Sequence, residues 1–396
     1  MVIKSAEKFT IFITSIVTMI TFIDTHAILP ILSLYASELG ATTTMVGIIV
    51  GAYSLVHTPL NIPLGRLADK IGRRLSIVIG LVSDAISMLL YSLSTLPFHL
   101  LCLRVFHGIG GSLNTPATLT VAGDVAPVRR RGRMMAIYGI SISIALIIGY
   151  STSGIIASRL GYKALFLIYA ATVIGGIALA ALFLPETMRK VPKVRSSGIR
   201  SDVSKFFDLI TRRNLVACYG TTFSYMFVRG VLTVLLPLFI VHILGVVERA
   251  ARMWVGVLFT VTVVAFIILA YPFGRLSDRI GRKIPATLGV LVIAIALFLI
   301  PFSNTLSSLA MLLALYGVGE ALLFPALTAV VAENTTIEER GFASGMFFAL
   351  YTGGVAVGGP ISGLAGDLLG LGSSLQVCAI VPLFGILAAS LLVEKK

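Results

Sequence analysis

Apolar residues run through this chain in blocks far longer than a soluble core helix, and short polar stretches separate each block from the next. Twelve such blocks predict twelve helical spans, near 9–35, 44–66, 75–96, 98–123, 133–158, 163–185, 214–244, 253–275, 284–303, 306–331, 342–366 and 373–393. About 20 apolar residues carry a helix across a bilayer. Lipid offers the backbone no hydrogen-bond partner, so only helices and closed barrels cross it. No block shows the strand-like alternation of apolar and polar residues that a barrel needs, so the pattern predicts helices. The first block is longer than the core of a cleaved signal peptide and contains Asp24 and Pro30, so it counts as a span.

Composition points the same way. The chain is 57% hydrophobic and 12% charged, and no soluble fold of 396 residues could cover that much apolar side chain. Cys102, Cys218 and Cys378 lie far apart and inside spans, so neither a disulfide framework nor a metal-binding spacing is expected. No phosphate-binding glycine loop of the Walker type occurs, which argues against direct use of ATP, and no nucleophile–base pair suggests an enzyme. No cofactor is implied.

A net charge of +14 would fit nucleic-acid binding, but its placement gives another reading. Alternate loops carry the excess: 25 of the 31 Lys and Arg residues fall on one side of the predicted membrane. They include Lys70 and Arg73 in one loop, Arg129 to Arg131 in another, and Arg279 and Arg282 in a third. The opposite side holds Arg159, Lys163, Arg249 and Arg252, while Arg104 and Arg229 lie within spans. This is the positive-inside pattern, and it places both termini in the cytoplasm of a multi-pass plasma-membrane protein. The longest hydrophilic stretch, 186–213, contains Pro192 and Ser196-Ser197-Gly198 and reads as a cytoplasmic linker. Within it "SDVSKFFDLI" (201–210) has the pattern of a short amphipathic helix on the membrane face. The linker divides the chain into six-helix bundles at 1–185 and 214–396.

The two bundles repeat each other. "GRLADKIGRR" (65–74) returns as "GRLSDRIGRK" (274–283), an offset of 209 residues. At the same offset "GIGGSLNTPA" (108–117) falls on "GVGEALLFPA" (317–326), and Asp124 falls on Glu333. Gly40 matches Gly245 at 205, so the loop before the eighth span is expected to be four residues longer than its counterpart. Parallel repeats of this kind are a transporter signature, with the substrate site expected near the midplane where the bundles meet.

The decapeptide 65–74 resembles the signature loop of the major facilitator superfamily, G-x-x-x-D-[RK]-x-G-R-[RK], and Arg104 with Gly108 and Gly110 resembles its fourth-helix motif. The likeness covers almost the whole chain. It implies an all-α fold of twelve transmembrane helices in two pseudo-symmetric bundles. It also implies a cytoplasmic gate in which Gly65, Asp69, Arg73 and Asp124, with Gly274, Asp278 and Arg282, latch the closed state. "LPILSLYASELGA" (29–41) is most similar to the twelve-helix drug:proton antiporters, but their Gly-Pro-x-x-Gly-Gly element is replaced in the fifth span by "YSTSG" (150–154). Physically, the loop glycine would permit close helix approach, and Asp69 could face the positive end of a neighbouring helix. Lys70 and Arg74 fit anchoring to anionic lipid equally well.

Charges inside spans carry the candidate chemistry, because each costs roughly 2.5–3.5 kcal/mol at a helix centre unless it faces a cavity or a partner. The acids are Asp24, Asp84 and Glu320; the bases are Arg104 and Arg229. Arg104, His107, Gly111 and Asn114 share one helix face, and Glu320 occupies the repeat position of Gly111. Asp84 has Ile293 at its repeat position and reads as a structural hydrogen-bonding group. His26, His57 and His242 read as solvated or packed near helix ends. At the 205 offset Asp24 aligns with Arg229, which suggests pairing between them, against the plainer reading that Arg229 snorkels to the interface.

These features point to a secondary transporter working by alternating access, coupled to protons through Asp24 first and Glu320 second, exporting a lipophilic or cationic organic compound. A facilitator or symporter for a small metabolite is the alternative, and a non-transporting sensor on the same fold a third reading. The partners expected are substrate, protons and lipid, with no nucleic acid and a monomeric chain. The topology makes a direct prediction. In a variant lacking native cysteines, Ser197→Cys should react with impermeant thiol reagents only from the cytoplasm, and Thr42→Cys only from outside. Labelling of both from one side would contradict the twelve-span arrangement.

Overall fold

The computed structural model describes residues 5–125, 131–187 and 207–393, and all regular structure among them is helical. In chain order the helices are α1 (Ser5–Glu38), α2 (Thr43–Ile71), α3 (Arg73–Tyr91), α4 (Pro97–Val125), α5 (Arg131–Phe183), α6 (Arg213–His242), α7 (Glu248–Ile280), α8 (Lys283–Leu299), α9 (Leu306–Glu333), α10 (Ile337–Leu369), α11 (Leu371–Cys378) and α12 (Val381–Ser390). These labels do not map one to one onto the spans. The fifth and sixth spans form the single run α5, broken where Gly161 adopts φ 84°, and the last span is shared by α11 and α12. Among the described residues, ten helical stretches are long and apolar enough to cross a membrane. α4 has the length but is diluted by Arg104, His107 and Asn114, the residues that make it chemically interesting. Most of the linker, residues 188–206, lies outside the described residues, as does most of the amphipathic stretch 201–210.

Apolar side chains cover much of the outer surface. Phe12, Leu93, Leu182 and Phe384 are among the large hydrophobic residues left exposed, as a lipid-facing surface requires.

The repeat is written into the backbone as well as the side chains. Every described residue with positive φ is a glycine, and the six form three repeat pairs: Gly40 with Gly245, Gly72 with Gly281, and Gly161 with Gly370. At Gly72 (φ 106°) the chain turns from α2 into α3 within one residue, a conformation that a Cβ would strain. The expected four-residue insertion is confirmed in length and corrected in place. It is one added turn of helix: α2 has 29 residues and α7 has 33, and Ile71 and Ile280 end them at repeat positions. A turn holds 3.6 residues, so the insertion keeps the helix nearly in phase with its counterpart.

Contacts divide the chain into two compact units, which differ from the sequence halves by two short exchanges. Unit 1 is Met1–Ala41, Ala52–Val191 and Val246–Val257; unit 2 is Thr42–Gly51, Pro192–Gly245 and Leu258–Lys396. In unit 1, Ile13, Val17 and Ile20 of α1 belong to a core with Ile77 and Leu81 of α3 and Val173 of α5. The first turns of α7 lie against α5 so closely that a Cβ at Gly154 would stand 3.1 Å from Gly256 Cα. In unit 2, the first turns of α2 meet α10 in the repeat-equivalent way, with a Cβ at Gly363 falling 3.1 Å from Gly47 Cα. Asp367 then accepts hydrogen bonds from the Thr43 and Thr44 N–H groups at 3.0 and 2.8 Å, filling part of the open helix start of α2.

These crossings leave no room for a side chain. Gly154→Leu and Gly363→Leu should each lower stability by about 1–3 kcal/mol, as overpacked contacts do. Gly175→Leu, at a position with nothing within 4 Å of a Cβ, should have little effect. Thermal unfolding of the detergent-purified protein reads the difference.

Candidate functional site

Unit 1 buries a polar cluster among α1 to α4. Asp24, Arg104, His107 and Asn114 are each at most 1% exposed, and so is Asp84. His107 Nε2 stands 3.4 Å from Asp24 Oδ2 and 3.5 Å from Asp84 Oδ1. Asp24 Oδ1 accepts from the Thr25 N–H at 2.6 Å, and Asp84 Oδ2 accepts from Asn114 Nδ2 at 2.6 Å. Thr25 Oγ1 lies 3.5 Å from His107 Nε2. Glycines admit this arrangement: a Cβ at Gly80 would lie 2.7 Å from Asn114 Cβ, and one at Gly110 would lie 2.9 Å from Asp84 Oδ1.

Tyr53 of α2 closes the cluster. Its ring lies beneath the Arg104 guanidinium at 4.7 Å, edge-on to His107 at 5.1 Å and stacked on His57 at 5.2 Å. A Cβ at Gly111 would collide with the Tyr53 hydroxyl, so the small residue on that helix face makes room for the ring. One expectation is met and extended, and one changes. Asp84 is a structural hydrogen-bonding residue through Asn114, and its other oxygen faces the same imidazole as Asp24. His57 is 6% exposed in the middle of α2 and hydrogen-bonded to Asn61 at 3.1 Å, rather than near a helix end.

Unit 2 carries the counterpart. Arg229 Nη2 reaches Glu320 Oε1 at 2.8 Å and Oε2 at 2.9 Å, and the Tyr316 hydroxyl donates to Glu320 Oε1 at 3.2 Å. The guanidinium also lies 5.6 Å from the Tyr316 ring centre. Arg229 sits in the middle of α6, so the snorkelling reading falls. Within its own unit it pairs with Glu320. Tyr316 carries no charge that would mark it in the sequence, yet it occupies the repeat position of His107, a signal that could have found it.

At the loops after α2 and α7 the two decapeptides build matching ion-pair networks. Arg73 pairs with Asp124 and approaches Asp69 at 3.6 Å. In the echo, Arg282 meets Asp278 and Glu333 at 2.7 Å each. Glu186 accepts from the N–H groups of Arg73 at 3.1 Å and Arg74 at 3.2 Å, filling the start of α3. The motif glycines do not mark forced approaches. A Cβ at Gly65 would stand 3.7 Å from Pro116, and one at Gly274 would stand 3.5 Å from Pro325, both ordinary contacts that alanine could make.

Sequence comparison decides the family. A model of the Major Facilitator Superfamily matches residues 14–250 and 218–396. The chain belongs to that superfamily. An MFS-type transporter of Methanocaldococcus jannaschii is 26% identical over 375 residues, spanning 93% of this chain and 94% of its own. The multidrug resistance protein MdtG of Proteus mirabilis is 28% identical over 320 residues, 78% of this chain and 77% of its own. Among solved structures, an inward-facing bacterial homologue of the human lysosomal transporter Spinster superposes with a TM-score of 0.81 at 15% identity, covering 99% of this chain and 98% of the other. This superfamily member is therefore an all-α, multi-pass membrane transporter of two six-helix bundles, and not an enzyme.

The Arg229–Glu320 pair yields a test of its own. Glu320→Gln leaves a guanidinium in a buried setting with half its partner gone and should cost about 3 kcal/mol in unfolding stability. The double variant Arg229→Gln with Glu320→Gln should recover much of that loss. A Glu320→Gln variant as stable as the wild type in thermal unfolding in detergent would show that the pair contributes nothing, and equal stability of single and double variants would show that the leftover guanidinium carries no penalty.

Proposed function

We propose that this transporter exports lipophilic or cationic organic compounds across the plasma membrane in exchange for protons. The observation that carries the proposal is Asp24, a carboxylate fully buried in α1 with one oxygen accepting no hydrogen bond among the described residues and an imidazole beside it. Such a carboxylate gains or loses charge at a large solvation cost, so its protonation can bias one conformation over another. Glu320 is the second proton carrier, and Arg104 and Arg229 supply the positive charges that tune the two acids. The MdtG relatives support the drug direction. The apolar composition agrees with it: a sugar carrier would call for more side chains that hydrogen-bond and stack, and the chain has a single tryptophan, Trp254.

The networks of Arg73 with Asp69 and Asp124, and of Arg282 with Asp278 and Glu333, serve in this reading as the cytoplasmic latch, with both termini in the cytoplasm and the bundles 1–185 and 214–396 as the bodies that rock. The protein would act as a monomer.

Reconstitution into liposomes with an imposed pH gradient and a panel of cationic dyes tests the reading. Dye addition should drive proton flux, and Asp24→Asn should cut that flux at least tenfold while leaving the protein folded. Proton-independent equilibration of a solute would favour a facilitator instead. No flux of any solute would favour a sensor.

A further inference from the structure

Aromatic rings gather in unit 2 beside the Arg229–Glu320 pair, and one of them is exposed on a side of its helix that does not face lipid. Val357, Ile361, Leu364 and Leu368 are exposed at helical spacing and form the lipid-facing stripe of α10. Phe348 is 50% exposed. It precedes Val357 by nine residues (357 − 348), about two and a half turns, and so lies on the opposite side of the helix. Gly359 and Gly363 are on the Phe348 side, about three and four turns further along. There α2 closes against them: a Cβ at Gly359 would stand 2.9 Å from the Gly47 carbonyl oxygen, and one at Gly363 would stand 3.1 Å from Gly47 Cα. Toward the start of α10 the same side is open, since Gly341 and Gly345 are exposed and have nothing within 4 Å of a Cβ. Phe348 therefore stands on the wall of an internal space that ends where α2 crosses.

Phe348 is one of a run of rings. Its centroid lies 5.4 Å from that of Phe347 and 6.2 Å from that of Tyr351. Tyr351 in turn lies 6.5 Å from Phe324 of α9 and 6.1 Å from Tyr225 of α6. Aromatic pairs attract at such separations, and Phe324 and Tyr351 are only half-buried, which leaves ring surface for a further partner. Tyr225 precedes Arg229 by one helical turn and Phe324 follows Glu320 by one, so rings and ion pair share helix faces. Glu320 is already held by Arg229 and Tyr316, so the pair offers an incoming molecule no unmatched charge. Ring surface is what this wall presents, with one polar addition. The Tyr225 hydroxyl is buried and has no hydrogen-bond partner among the described residues. An unfilled buried hydroxyl is costly, and a ligand that bonds to it removes the cost.

We propose that Phe324, Phe348 and Tyr351, with Tyr225 behind them, form a subsite that binds an aromatic ring of the transported compound. The proposal rests on the export reading above and narrows its substrates to compounds that carry aromatic rings, whatever their charge. An incoming ring extends the run at Phe348 and Tyr351 and gains ring–ring attraction as well as buried area, whereas an aliphatic group of equal bulk gains the area alone.

Equilibrium binding of radiolabelled tetraphenylphosphonium and of ethidium to the purified, full-length protein in detergent tests the subsite. Saturable binding is expected. Tetrapentylammonium, an aliphatic cation of the same charge, should displace the label only at concentrations at least tenfold above those at which unlabelled tetraphenylphosphonium does. Phe348→Leu and Tyr351→Leu should each weaken binding roughly threefold or more. Tyr351→Phe, which keeps the ring, and Phe384→Leu, on the exposed face of α12, should bind as the wild type does. Should a leucine variant fail to fold, the wild-type comparison of aromatic with aliphatic competitors still decides. Equal displacement by the two cations, saturable binding of neither aromatic probe, or undiminished binding in both leucine variants would each overturn the subsite. A protein that prefers the aromatic probes yet moves no protons with them would keep the subsite and lose proton exchange. One that exchanges protons for aromatic and aliphatic cations alike would keep exchange and lose the subsite.

Discussion

A charge placed in hydrocarbon has to meet its counter-charge inside the protein, and that requirement organises both units. Each answers it between the same two repeat-equivalent helices, but with the signs reversed. In unit 1 the first helix brings the acid, Asp24, and the fourth sets His107 against it, with Arg104 of the same helix lying over Tyr53. In unit 2 the first helix brings the base, Arg229, and the fourth brings the acid, Glu320. Aromatic rings shield each cluster, Tyr53 and Tyr91 on one side and Tyr316 on the other. One scaffold thus holds two chemically different centres, because helix geometry fixes where side chains meet but not which sign each helix contributes.

The scaffold can hold such clusters because its backbone is tightly drawn. Glycine contacts bring α3 against α4, α5 against the start of α7, and α10 against the start of α2. Without strong hydrophobic drive between helices in lipid, such close approach is the main source of packing energy. Polar partners then fill open helix starts, Glu186 at α3 and Asp367 at α2. The repeat-paired glycines at the turns keep the two halves in register even where an extra helical turn has been added to α7.

The fold was legible in the sequence because its signals are long and cumulative: apolar runs of span length, alternating basic loops, and a decapeptide stated twice. The candidate centres were legible in part. Charges within spans picked out Asp24, Arg104, Arg229 and Glu320, since the cost of an isolated charge in lipid makes each one informative. Spacing along a helix placed Arg104, His107 and Asn114 on one face, but no spacing rule could show that α3 would bring Asp84 to the same imidazole. That contact depends on Gly80 and Gly110, whose meaning appears only once two helices are side by side. Arg229 illustrates the limit from the other direction. Its symmetry mate suggested Asp24 as a partner, and no pattern in the sequence pointed to the contacts with Glu320 and Tyr316 of α9 that the structure shows within its own unit.

The reversed signs have an electrical consequence. Arg229 and Glu320 sum to zero, so displacing them together along the membrane normal moves no net charge. Unit 1 sets two acids, Asp24 and Asp84, against His107, with Arg104 over Tyr53, so its acids and guanidinium do not match one for one. A centre whose acids and guanidinium are unmatched can carry net charge through the transmembrane field when it shifts, and a one-for-one pair cannot. Carrying one elementary charge through the full field is worth about 2.3 kcal/mol per 100 mV, comparable to the free-energy difference between two conformations of a transporter. In the exchange proposed above, the membrane potential would then bear on one half of a nearly symmetric fold and supply a direction that the duplicated backbone by itself lacks.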